Sequence, residues 1–126
     1  MAVFKILRKY VKNLKRKNEK MTDIIIYTTP EKLLHKRGKL KDDDDYSETG
    51  DYYWFLSKLP KKTEEGDKIF FATKGFIRGY FIIDKLDDEE GIIFNCKSWK
   101  NITPFPCIHF QGFKYADKVG ELKDER

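Results

Sequence analysis

The chain has 126 residues, 26 Lys and Arg against 21 Asp and Glu, and 40% hydrophobic, 15% aromatic and 37% charged residues. That length suits one hydrophobic core and excludes a two-domain dehydrogenase, a TIM barrel or a kinase. The apolar runs are far shorter than the roughly 20 residues that cross a bilayer, so no membrane span is expected. Two cysteines, Cys96 and Cys107, do not make a secretory disulfide framework, and the basic N-terminus lacks the apolar stretch of a signal peptide. These features predict a soluble, cytoplasmic protein. The high charge and the single glutamine, Gln111, match the balance of heat-stable proteins.

Charge is unevenly placed. Residues 1–20 hold eight Lys and Arg and one acid, whereas the remaining residues sum to slightly negative. Within that segment Val3, Leu7, Tyr10 and Leu14 recur at helical spacing, and the opposite face is Lys and Arg. The pattern predicts a basic amphipathic helix over residues 1–20, appended to a domain spanning 21–126. The helix has three open readings: docked on the body, lying on a membrane surface, or forming an arm for phosphate backbones through Arg8, Lys12, Lys15 and Arg16.

In chain order, residues 23–29 (DIIIYTT) predict a buried first strand. Pro30 opens a short helix through His35, and Gly38 ends it. Residues 42–50, with four adjacent aspartates, predict a solvated loop, because they lack the alternating ligands and the bidentate Glu of a calcium loop. The aromatic run 51–57 suits a strand or a short helix. The clearest signal is a hairpin: a turn at Gly66 and Asp67, a strand over 68–73, a tight turn at Lys74 and Gly75, and a returning strand over 76–83. A turn over 87–91 leads into a strand at 92–96. Residues 102–106 and 108–110 predict late edge or irregular strands, since Pro104 and Pro106 exclude a central ladder. Residues 121–126 are expected to fray. The pattern predicts an α+β fold, a small curved sheet or pseudobarrel with one or two packed helices.

These pieces, in this order, resemble the PUA-like superfamily, which includes the ASCH, EVE and YTH domains. The resemblance lies in the first strand running into Pro30, the turn Glu65, Gly66 and Asp67 (Glu65 where the family has Pro), the strand 68–73, the returning strand with Gly79, and Pro104 to Pro106. It covers residues 23–115 and implies a pseudobarrel that binds RNA or a modified nucleobase. The Gly-x-Lys-x-x-Glu motif of many ASCH domains is missing. The nearest stretch runs from Arg37 to Asp42, with the acid one place early, so the amidohydrolase activity of some ASCH proteins is not carried over.

Nucleic-acid binding needs cations for phosphate and flat side chains for bases. The candidates are Tyr27, Thr28 and Lys32 at the strand-to-helix junction, Trp54, Lys74 and Arg78 at the hairpin, and Trp99 between Lys97 and Lys100. The helix start at Pro30 also suits an anion. The alternative reading for each aromatic is core packing. Cys96, Cys107 and His109 are too few for a structural zinc site and lack a catalytic signature, so no metal, cofactor or catalytic residue is assigned. The sequence thus predicts a non-catalytic module binding RNA or a modified-base nucleic acid. The alternatives are a small amidohydrolase of modified nucleosides, pairing Lys32 or Lys74 with an acid such as Glu31, and a protein-interaction module using the N-terminal helix.

Overall fold

A computed structural model describes residues 22–116. The predicted basic helix, with Arg8, Lys12, Lys15 and Arg16, and the predicted fraying of 121–126 lie outside those residues. The elements are β1 (Ile24–Tyr27), α1 (Pro30–Lys36), β2 (Asp51–Trp54), β3 (Lys68–Thr73), β4 (Phe76–Asp87), β5 (Gly91–Asn95), a 3-10 turn (Cys96–Ser98), β6 (Lys100–Pro106) and β7 (Phe113–Tyr115). Among the described residues, no helix is long and apolar enough to cross a membrane.

The seven strands form one mixed sheet in the order β2-β5-β4-β3-β1-β7, with β6 also on β4. β1 and β3 run parallel, and the other pairs are antiparallel. A central strand covered on both faces must be apolar along its buried length, and β1 from Ile24 to Ile26 and β3 from Ile69 to Ala72 meet that demand. Ile24, Ile26, Ile69 and Phe71 enter one core with Phe81 and Ile83. Ile25, Phe70 and Ala72 enter a second with Ile77 and Tyr80. α1 covers the first core through buried Leu33.

The sheet curls but is not closed into a barrel: β2 and β7 are its two ends. Of the two forms expected from sequence, a small curved sheet or a pseudobarrel, the barrel form is not reached, and the cause lies in β4. One edge of this twelve-residue strand pairs first with β6, from Phe76 to Tyr80, and then with β5, from Ile83 to Asp87. Both ladders shift register there, so the sheet forks. The gap is filled by Ser98, whose Oγ accepts from Ile82 N at 3.0 Å and donates to Asn95 O at 2.7 Å. Beyond the fork, β5 and β2 fold over the first core. The Trp54 ring lies 5.4 Å from that of Phe71, although a flat sheet would hold strands three places apart at about 14 Å. Gly91 permits this closure, because a Cβ there would lie 2.2 Å from Trp54 O.

The hairpin takes its predicted form, with β4 running on through Asp87. β6 lies at an edge, as its prolines require. Residues 108–110 form no strand; the last strand is β7, which pairs with β1 from Ile24 to Ile26.

The turn before β3 is held by a buried carboxylate. Asp67 Oδ2 accepts from Glu64 N at 2.7 Å and from Thr22 Oγ1 at 2.6 Å, while the Asp67 carbonyl accepts from Ile83 N. Replacing Asp67 with Ala leaves two donors without their acceptor in a site only 1% exposed. The expected loss is about 1–3 kcal/mol of unfolding free energy in urea titration, with a smaller loss for Asp67→Asn, which keeps an acceptor oxygen.

Candidate nucleic-acid interface

β1 ends where Thr28 N donates to Ala72 O at 2.8 Å. Thr29 then caps α1, its Oγ1 accepting from Lys32 N at 3.2 Å, and Pro30 takes the first helical position. With that cap in place, and Glu31 in the first turn of a seven-residue helix, the helix start is not an open anion seat.

The β3–β4 turn stands beside this junction. Lys74 and Gly75 have φ of 48° and 87°, the left-handed pair of a tight hairpin turn. Gly75 N donates to the Tyr27 hydroxyl, and Cys107 N donates to Gly75 O at 2.8 Å. Tyr27 therefore clamps the hairpin turn to the end of β1. The same contacts bring His109 to Tyr27, the two rings meeting edge to face at 4.9 Å. Trp54 closes the other side from the end of β2.

These elements enclose an open concavity of about 520 Å³ lined by Tyr27, Thr28, Lys32, Trp54, Lys74 and His109, together with Thr29 and Pro30. Lys32 and Lys74 give it positive charge, and among the described residues no carboxylate lines it. Across Thr29, Lys32 and Trp54 it adjoins a second concavity of about 710 Å³, whose walls include Tyr53, Phe55, Lys36, Asp43 and Asp45. There the Lys36 ammonium lies 4.9 Å from the Tyr53 ring centre and 5.9 Å from that of Trp54. Burial holds the Lys36 pKa below its ordinary value, against the pull of Asp45 and with a smaller push from Lys32. His35 Nδ1 lies 3.0 Å from Asp43 Oδ2, so the acidic loop packs beside the helix.

Five of the sequence-predicted residues, Tyr27, Thr28, Lys32, Trp54 and Lys74, thus line one cleft. The other four do not. Arg78 turns back along the hairpin: its Nε donates to Thr73 O at 3.2 Å, and its guanidinium lies 5.3 Å from the Phe76 ring. Trp99 is a plug in the fork rather than an open stacking platform. Its ring is 4.9 Å from Phe81, the Arg37 guanidinium covers it at 5.0 Å, and its Nε1 donates to Asn101 Oδ1 at 2.7 Å. Gly79 makes the room, since a Cβ there would lie 2.5 Å from the indole. Lys97 and Lys100 are exposed on either side of the plug.

His109, Tyr53, Phe55, Lys36 and Asp45 are among the cleft residues that the sequence did not mark. No local pattern marks His109; only the pairing of Cys107 with Gly75 brings it to Tyr27. Cys96 packs toward the first core and Cys107 toward the second, so the two thiols sit on different sides of the sheet.

The Tyr27 clamp has a measurable consequence. Tyr27→Phe removes the acceptor of Gly75 N at little cost in packing, so stability should fall by about 1 kcal/mol. Amide exchange at Gly75 should accelerate more than at Phe70 in mid-strand.

No protein-family model matches this chain, and no match emerges from the curated proteins or from the solved structures. Its function is therefore argued from the cleft itself.

Proposed function

We propose that the chain is a PUA-like, non-catalytic nucleic-acid-binding module that seats an unpaired base of RNA, or a modified base, in the cleft beside Tyr27. One observation carries this reading. Residues chosen from sequence for phosphate and base contact, 47 positions apart at the extremes, converge on a single concavity with lysines at its rim and an aromatic wall. Single-stranded nucleic acid is held by that combination, with cations for the backbone and a flat ring for the base. Residues 1–20 add sequence-independent attraction through Arg8, Lys12, Lys15 and Arg16.

Lys74 supports the reading in a second way. A non-glycine residue at φ 48° stores backbone strain, and Asn or Gly would suit the turn better. From that position Lys74 lines the cleft.

The test is fluorescence anisotropy with a short single-stranded RNA at several salt concentrations. Affinity should fall steeply with salt, and replacing Arg8, Lys12, Lys15 and Arg16 with Gln should flatten that slope. Lys74→Asn should weaken binding while leaving the protein as stable as before or more so. Trp54→Ala should cost about 5- to 100-fold in affinity, the scale of one stacked base. Unchanged binding by both cleft variants, correctly folded, would remove the proposal. Glu31 and Lys32 both line the second concavity, which is the observation favouring an amidohydrolase. Turnover of an acylated cytidine, lost in Lys32→Met, would establish that reading instead.

A further inference from the structure

The two halves of the cleft differ in charge, and the difference specifies a ligand. The half beside Tyr27 has Lys32 and Lys74 and, among the described residues, no lining carboxylate. The half beyond Trp54 combines three aromatic residues in succession, Tyr53, Trp54 and Phe55, with three carboxylates, Glu31, Asp43 and Asp45, against Lys36 and the shared Lys32. Two of those aromatics are well exposed, Tyr53 at 51% and Phe55 at 60%, a costly arrangement for rings that serve only packing. A cation over an aromatic face is attracted when it lies within about 6 Å of the ring centre. The Lys36 ammonium meets that condition over both Tyr53 and Trp54, so the chamber already has the dimensions of a cation seat.

Building on the proposed nucleotide cleft, we infer that this chamber takes the positively charged base of an N-alkylated nucleotide, with the phosphate at the Lys32 and Lys74 end. Lys36 holds the seat and yields it to the ligand. Its four-carbon stem can swing the ammonium out to water. That half-buried position is already unfavourable for an ammonium, as its lowered pKa reflects. A neutral base entering the chamber would expel the Lys36 charge and leave Asp45 without the cation that faces it. A cationic base restores that charge and brings a delocalised cation that sheds its water more readily. Glu31, Asp43 and Asp45 all line this chamber; Asp45 is the one whose charge acts on Lys36, so Asp45 is the carboxylate that reads the ligand's charge.

The experiment is calorimetric titration of the full chain with 7-methylguanosine monophosphate and, separately, guanosine monophosphate. The methylated, cationic nucleotide should bind about tenfold more tightly, the scale of a partly desolvated cation over aromatic rings. Asp45 is exposed, and Asp45→Asn should bring the two affinities together. Lys36→Met should tighten the methylated nucleotide several-fold. Equal affinities for the two nucleotides in the native chain would overturn the cation seat and leave the cleft reading standing. A preference that survives Asp45→Asn intact would also overturn it. Binding of neither nucleotide would overturn both.

Discussion

β4 lends one edge to two strands in succession, and the cleft depends on that sharing. A strand that changes partner midway cannot keep one ladder register. The break lies between the β6 and β5 ladders and is plugged by Ser98 and Trp99. Released from the plane set by β3 and β6, the β5–β2 pair folds over the first core and carries Trp54 to Phe71. Without the fork, Trp54 would stand about 14 Å away along a flat sheet, and the concavity beside Tyr27 would lose one wall. Gly79 and Gly91 serve the same bend from opposite sides, one admitting the Trp99 indole and the other the backbone at Trp54.

The second wall rests on a single phenol. Tyr27 ends a strand buried on both faces, and its ring lies with the partly buried residues packed against the second core. Its hydroxyl accepts the Gly75 amide and so fixes the turn that bears Lys74. A rigid sheet therefore presents a cation, a ring and a threonine pair at one rim. Supporting a site on strand ends in this way gives better positional control than a free loop.

How far the sequence discloses this arrangement follows from which contacts are local. The hairpin from Lys68 onward is readable because apolar runs and a Lys-Gly turn agree. So is the β1-to-helix junction, where Thr29 and Pro30 signal a cap and a first turn within adjacent positions. The second half of β4 is concealed, because the apolar run stops at Ile83 and Asp84 and Lys85 are charged, and only the pairing with β5 carries the strand on. β7 has only three residues, too few for alternation to register. The same division governs the site. Tyr27, Thr28 and Lys32 are contiguous and legible, whereas His109 reaches the cleft only through a ladder-like contact from Cys107 to Gly75. Trp99 misleads because its flanking lysines suggest a nucleic-acid loop, while the glycine that receives its ring stands twenty positions earlier.

The account separates recognition, at the Tyr27 cleft, from the cationic flanks of Trp99. Backbone amide chemical shifts followed during titration with a short single-stranded RNA test that separation directly. The account predicts that Thr28, Lys32, Lys74 and Gly75 move together and saturate at one affinity, with residues 97–100 nearly still. Shifts concentrated at residues 97–100, with the Tyr27 rim unmoved, would contradict it.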